Sequence, residues 1–426
     1  MYMFTPLELR TTNSNDTLWK EYSPASPHSC RPLSLILGKE TDADLKSVYK
    51  YLITEKRASI QSTLLVVLFK DRKFTIKLVF KLSLVDGKMR SLLSGRGGAF
   101  CLLCTCTRED ARNLELQFSI DISGDQIQDI WRKLTTGELV KRPHDQKVRM
   151  GVTQEPLIDF DQISMLSPLH AFMRFFDTLL KIIYHLNAGI FKWSDDKNVL
   201  GSSFQLLKNS KDTVKAIIKE KTHLSIDIPD STGKGGTSTT GNVIHTIMSK
   251  ECNIQVLVSL VPLRFQEKMH DCISRVYTIT KLYNSSHKID VPTFKDFCFE
   301  TKRILLESFN DTSNESWVYL TPTVHGLLEH GPELIDANNS EGLGAFTESG
   351  LECNNKILRL IRISQSRKCS QIDNLNDCIS RLWVRSDLHI RNAVPPKRSL
   401  KDKDSYHGFF PLQSLSEYYC KELVID

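Results

Sequence analysis

The sequence predicts a mixed α/β fold, with a β-rich start, a long and mostly helical middle, and a helical end. Three observations predict it. From Phe74 to Leu84 every even position is apolar (Phe74, Ile76, Leu78, Phe80, Leu82, Leu84), a period of two that sets one face of a strand against a core. Thr63 to Phe69 (TLLVVLF) is a continuous apolar run, as in a strand buried on both faces. Pro168 to Leu186 (PLHAFMRFFDTLLKIIYHL) is a strongly apolar helix whose proline stands at its start, where a missing amide proton is tolerated.

The other elements fall around these. Met1 to Cys30 is polar with a few apolar positions and reads as one strand and a loop. Asp42 to Lys56 has helical spacing through Leu45, Val48, Tyr49 and Leu52. Val85-Asp86-Gly87 ends the alternating strand, and Gly95 to Gly98 (GRGG) is a turn leading into Phe100-Cys101-Leu102-Leu103-Cys104. A polar helix is expected around Asp125 to Leu139 and a charged one over Phe204 to Lys221. Ser231 to Asn242 (STGKGGTSTTGN) is a small-residue loop with no sign of regular structure. Further helices are expected at Val243 to Lys250, Pro262 to Tyr283 and Val291 to Asn310. Pro395-Pro396-Lys397-Arg398 begins a charged tail, and no internal repeat is present.

At 426 residues the chain can form two or three domains with real cores. A content of 40% hydrophobic and 25% charged residues is ordinary for a globular protein, and a net charge of +6 permits a nucleic-acid partner without demanding one. No apolar run approaches the length of a membrane span, and Met1 to Asp16 has no apolar signal core. The sequon matches at Asn15 and Asn310 are therefore read as chance. Eleven cysteines, odd in number and scattered, do not resemble a secreted disulfide framework. They fit a reducing intracellular compartment, where thiols serve as core residues or metal ligands.

Five constellations could carry chemistry. Cys101-x-x-Cys104 and His325-x-x-x-x-His330 each have a spacing that lets both side chains reach one ion, and together they supply a tetrahedral two-Cys, two-His zinc site. Far apart in sequence, they would clamp the β-rich start to the helical end. The CxxC alone reads as two core thiols and HxxxxH alone is common by chance, and Cys106 is a spare thiol that leaves the choice of ligands open. Asp86 closes the best strand, where a carboxylate can project into a cleft, or where Asp-Gly simply makes a turn. Glu352 lies on an expected helix with Leu351, Ile357, Leu358 and Ile361 on its buried side; Glu348, Glu352, Asn355, Lys356 and Arg359 share another face, catalytic or merely solvated. Arg359, Arg362, Arg367, Lys368, Arg381 and Arg385, interleaved with Ser364, Gln365, Ser366 and Ser370, suit phosphate contacts or a solvated basic helix. The loop 231–242 is not a Walker A loop, though its glycines and threonines could let backbone amides approach a phosphate.

The order of these features resembles the catalytic core of the family of V(D)J recombination-activating protein 1 and the Transib transposases. Val85-Asp86-Gly87-Lys88 looks like the strand that carries the family's second catalytic aspartate, and Phe100-Cys101-Leu102-Leu103-Cys104-Thr105 looks like its zinc-binding CxxC. Gly151 to Pro156, on through Leu169-His170, is similar to the entry into a helical insertion. Gly236 to Asn242 looks like the small-residue loop near bound DNA. Val324 to Gly331 matches the HxxxxH segment. Glu348 to Lys356 resembles the catalytic glutamate motif, with Glu352 at the catalytic place and Glu348 beside it. Ser366 to Ser370, Arg381-Leu382-Trp383 and Ser386-Asp387 resemble the family's C-terminal end.

The resemblance implies a partial RNase H-like core interrupted by a large, mainly helical, zinc-stabilised insertion. The expected domains are a partial core in residues 1–100, a zinc-linked region in 101–160 and a helical insertion in 161–340 ending in HxxxxH. The catalytic-glutamate helix and basic region would fill 341–394, and the tail 395–426. It also implies a DNA recombinase or transposase-type endonuclease that nicks and then transfers strands to leave hairpin ends. Asp86 and Glu352 would hold Mg2+ (or Mn2+); Cys101, Cys104, His325 and His330 would hold structural Zn2+. DNA contacts would come from Thr239, Thr240, Asn242, Lys356, Arg359, Arg362, Arg367 and Lys368. DNA, a second copy of the chain and a second recombination-activating subunit are the implied partners, with no membrane, and the nucleus is the implied location. The family's first aspartate lies upstream of the part matching Met1 to Thr12, so the chain as given is expected to hold catalytic metal poorly and to nick slowly; Asp16, Asp42 and Asp44 do not replace it. The alternative is an inactive, transposase-derived DNA-binding or regulatory protein. A zinc-stabilised interaction protein without a DNA role is a third reading.

Overall fold

The computed structural model describes residues 2–14, 16–21, 23–35, 47–48, 51, 55, 57–79, 87–97, 100–107, 109–120, 124–139, 149–157, 166–191, 202–229, 237–310, 317–387 and 389–390. Two compact units emerge, one from Met1–Phe80 with Leu343–Leu412 and the other from Lys81–Gly342 with Gln413–Asp426. Helices and strands are mixed, with helices dominant.

Among its described residues the first unit holds three antiparallel pairs: β1 (Tyr2–Phe4) with β4 (Arg31–Ser34), β2 (Glu8–Arg10) with β3 (Thr17–Lys20), and β5 (Leu64–Phe69) with β6 (Arg72–Lys77). A short helix, α1 (Arg57–Ser62), precedes β5. The expected single strand and loop before Cys30 is instead three strands, each too short to show a period. The β5–β6 register runs from Leu64 opposite Lys77 to Phe69 opposite Arg72. Lys70 (φ 47°) and Asp71 (φ 60°) both take left-handed backbone, as a two-residue hairpin turn requires.

Two strand expectations are corrected here. The apolar run 63–69 is a strand, but Leu64 to Leu68 are 42–73% exposed rather than buried on both faces. Among the described residues β5 pairs with β6 alone, and no third strand adjoins it. The alternating segment forms strand only as far as Lys77. Its later positions, from Phe80 to Leu84, lie outside the described residues, as does most of the helix expected at 42–56.

The end of this unit is a helical hairpin. Helix α11 (Ser349–Ser364) packs on α12 (Gln371–Ser386), which also touches β4. Ile361, Cys378 and Leu382 form its buried core, with Leu35, Ile357 and Leu358 against them. Ser370 caps α12 by accepting from the Asp373 amide at 3.0 Å.

The second unit is a helical assembly centred on α4 (Pro168–Ala188). Before it come α2 (Gly87–Ser94) and α3 (Gly124–Thr136). Helix α4 starts with a Ser167 cap and Pro168, and it ends at Gly189, whose φ of 67° is the left-handed conformation that stops a helix. Around it stand α5 (Ser202–Thr222), α6 (Gly241–Met248), α8 (Leu263–Tyr283) and α10 (Pro322–Ala337). Helix α7 (Glu251–Ser259) packs on α8, and α9 (Val291–Glu307) on both α8 and α10. Phe175, Phe176, Leu179, Ile182 and Ile183 of α4 are fully or almost fully buried, which accounts for the near-continuous apolar character of that helix. The loop expected over 231–242 contains β8 (Thr237–Ser238), paired with β7 (Ile228–Pro229), and its last residues open α6. Residues 231–236 lie outside the described residues.

Candidate metal centre and basic groove

The CxxC segment is a tight loop with its ends joined. Phe100 and Thr107 form an isolated antiparallel bridge, and the Cys101 amide donates to the Cys106 carbonyl at 3.0 Å. The Leu103 amide points at Cys101 Sγ and the Cys106 amide at Cys104 Sγ, each at 3.4 Å. These amides hold the two sulfurs in place, and cysteine sulfur is a soft metal donor. Buried Arg96 anchors this loop: Nη2 donates to the Cys104 carbonyl at 3.1 Å and Nε to the Met150 carbonyl at 2.8 Å. The turn before it needs glycine, because a Cβ on Gly95 (φ 72°) would lie 2.4 Å from the Gln154 carbonyl oxygen.

Helix α10 brings His325 and His330 to the same place. Thr321 caps it by accepting from the Val324 amide at 3.3 Å, and Pro322 is its first residue. Buried Lys302 of α9 donates to Glu329 of α10 at 2.5 Å, fixing α10 one residue before His330. One ligating atom from each of Cys101, Cys104, His325 and His330 lies within 4.8 Å of all the others, and all four residues are buried. Cys104 Sγ is 3.3 Å from His325 Nε2, and the two imidazoles stand edge to face at 5.3 Å.

These residues fit a soft-donor tetrahedral metal. His330 Nε2 is buried without a hydrogen-bond partner of good geometry, although the Cys101 thiol is its neighbour. A buried polar atom left in that state is costly, and a cation among the four donors would satisfy it. Burial disfavours a charged His325, yet the thiols of Cys101 and Cys104 outweigh that and raise its pKa to about 9. His330 behaves alike: burial is overcome by Cys101 and Glu333, and its pKa also stands at about 9. A field that draws protons so strongly to the centre of the cluster also draws a divalent cation.

Sequence reasoning named these four residues as candidate ligands but missed the groups that contact them. His330 Nδ1 is 2.8 Å from a Glu333 carboxylate oxygen. Cys106, flagged only as a spare thiol, has Sγ 3.8 Å from His325 Nδ1 and donates to the Thr107 carbonyl. The i,i+3 spacing of His330 and Glu333 on a helix was the available signal.

The other expected site residues lie elsewhere. Asp86 is outside the described residues. Glu352 is exposed on the first turn of α11, whereas Glu348, expected on the same face, is buried at that helix's N-terminus. The opposite face of α11 is pinned: buried Asn354 donates to the Pro27 carbonyl at 2.8 Å, and a Cβ on Gly350 would lie 2.7 Å from the Ala25 carbonyl oxygen. Lys356 and Arg359 share the exposed face with Glu352. Arg359, Arg362 and Lys368 line a groove of about 790 Å³ between α11 and α12, with Asn355, Ser370 and Asn374 and, among the described residues, no carboxylate. Arg367 instead grips Asp377 at 2.9 Å, and the Asp377 carboxyl, hydrogen-bonded by the Arg367 side chain and amide, is lowered to about 2. In the second unit Thr239 is buried and accepts from the Asp227 amide at 3.0 Å, while Thr240 and Asn242 are exposed where α6 begins.

Residues 1–99 match the model of the Recombination-activation protein 1 (RAG1) RNase H domain family. The chain is 23% identical over 436 residues to V(D)J recombination-activating protein 1 of Xenopus laevis, covering 94% of this chain and 37% of that protein. The proteins of the same name from Sus scrofa and Oryctolagus cuniculus are each 22% identical, over 422 and 426 residues, with the same coverage of 94% and 37%. The chain thus spans well under half the length of the relatives it matches. A domain match over residues 1–99 and a likeness that runs along 94% of its length make this chain similar to V(D)J recombination-activating protein 1.

Proposed function

We propose that this chain is the core of a DNA recombinase or transposase-type endonuclease, stabilised by zinc. The observation that carries the reading is the buried cluster of Cys101, Cys104, His325 and His330, drawn from distant segments in a chain similar along 94% of its length to V(D)J recombination-activating protein 1. Two thiolates and two imidazoles are the donor set of a structural zinc site. In this role they would tie the CxxC loop to α10 and stabilise the mainly helical insertion.

Asp86 and Glu352 would hold Mg2+ (or Mn2+) through hard carboxylate oxygens. That metal, when bound, supplies activation of the attacking oxygen and stabilisation of the leaving one. Water would open one phosphodiester to leave a 3′-hydroxyl, and this hydroxyl would displace the opposing strand's phosphodiester to close a hairpin. Arg359, Arg362 and Lys368 in the groove, with Lys356 beside it, would hold phosphates by charge. Arg367 would contribute its remaining donors, and Thr239, Thr240 and Asn242 would meet DNA from the second unit. A homodimer, a second recombination-activating subunit and a nuclear location belong to the same reading. No helix among the described residues is long and apolar enough to cross a membrane.

The test is nicking of duplex DNA by the zinc-loaded chain in Mg2+ or Mn2+, beside Asp86→Asn and Glu352→Gln. Slow nicking that both substitutions abolish supports the reading. DNA binding with no nicking supports the alternative, an inactive DNA-binding or regulatory descendant. Absence of DNA binding overturns both and leaves an interaction protein.

A further inference from the structure

We propose that Glu333 is a positioning residue for the metal centre, acting through His330; this rests on the zinc reading above. An ionised carboxylate only accepts hydrogen bonds, so at 2.8 Å from Glu333 the proton of the imidazole is on Nδ1. The lone pair of a neutral His330 is then on Nε2, the buried atom with no hydrogen-bond partner of good geometry. One contact therefore sets the tautomer, fixes the ring plane and makes Nε2 a stronger donor.

The geometry distinguishes this from an ordinary helix-surface pair. His330 is completely buried while the Glu333 side chain is 34% exposed, so the carboxylate reaches from the protein surface to a buried ring. Both residues stand on α10, three positions apart, and their spacing is held by the helix itself. His325 has a different backing, since its Nδ1 faces Cys106 Sγ at 3.8 Å. Sulfur is a weak acceptor, so the carboxylate is the stronger of the two supports.

The test uses the full chain, with Zn2+ affinity read by competition with a chromophoric chelator and site geometry read from the absorption of the Co2+-substituted protein. Glu333→Ala is expected to keep the tetrahedral Co2+ spectrum while losing about 10- to 100-fold in Zn2+ affinity. Glu333→Gln, whose carbonyl can still accept from Nδ1, is expected to recover part of that loss and guards against a packing defect in the alanine variant. His330→Ala must lose more than either. Wild-type affinity in Glu333→Ala, alongside weakened binding in His330→Ala, overturns the role of Glu333 and leaves the zinc reading standing. Failure of the wild-type chain to take up Zn2+ or Co2+ overturns the zinc reading, and the role of Glu333 with it.

Discussion

Lys302 and Glu329 form an ion pair at 2.5 Å in which the lysine side chain is 1% exposed and the carboxylate 13% exposed. It ties α9 to α10 one residue before His330. Removing one partner strands the other charge in a poorly hydrated place, at a cost of about 3–5 kcal/mol. Lys302→Met should therefore lower the urea midpoint of the zinc-loaded chain, and Lys302→Met with Glu329→Leu should recover much of the loss. Equal stability of Lys302→Met and wild type would show that the pair does not hold the histidine helix.

Metal affinity should rise with pH. In the metal-free fold His325 and His330 keep their protons up to about 9, because neighbouring thiols and, for His330, Glu333 outweigh the effect of burial. A metal must displace those protons, so protonation opposes binding below that pH. Calorimetry in buffers of different ionisation enthalpy should record proton release near neutrality, with apparent affinity increasing toward pH 9. A pH-independent affinity from 6 to 9 would contradict the assignment of both imidazoles as ligands.

Cys106 should prove dispensable as a ligand. Its sulfur contacts His325 Nδ1 and the Thr107 carbonyl and does not belong to the four-donor cluster. Cys106→Ser should retain one zinc per chain by elemental analysis, while Cys104→Ser should lose it. Loss of zinc in both would make Cys106 a ligand.

The Arg367–Asp377 pair should act as a clamp across the α11–α12 turn. Arg367 holds the Asp377 carboxyl at about 2, so the pair persists above that pH and is lost as acid titrates the aspartate. In Arg367→Ala the Asp377 midpoint, followed by NMR, should climb toward the usual carboxylate range. The same substitution should reduce the salt dependence of DNA binding less than Arg362→Ala does.

Gly350→Ala should displace the start of α11. Its Cβ would meet the Ala25 carbonyl oxygen at 2.7 Å and Cys30 Sγ at 2.8 Å, an overpacking that costs about 1–3 kcal/mol. Lower thermal stability than wild type is the expected result; unchanged stability would mean that the 25–30 segment moves aside freely.

Long helices were legible because their periodicity and caps are local. Pro168 and Gly189 bracket α4, and the apolar faces of α8 and α9 repeat over several turns. The clustering of Cys101, Cys104, His325 and His330 was legible from spacing, since two pairs of soft donors needed only to be brought together. Glu333 was not singled out: its i,i+3 spacing from His330 places it within reach, but the direction of the buried imidazole, which spacing does not encode, decides whether the two meet. The short strands before Cys30 lack enough residues to show a period. Leu64 to Leu68 read as a doubly buried strand because composition reports apolarity, while burial depends on what packs against it. Arg367 and Arg362 look alike in sequence; only the position of Asp377 separates a clamp from a groove residue.

The most direct test of the central claim is duplex DNA affinity of the zinc-loaded chain as a function of salt. Charge-held phosphates make the logarithm of affinity fall linearly with the logarithm of salt concentration, by about 0.9 per contact. The account predicts a steep slope that becomes shallower by about two units in Arg359→Ala with Arg362→Ala, at unchanged zinc content. Absence of duplex binding, or a slope untouched by both substitutions, would contradict a DNA role seated in this groove.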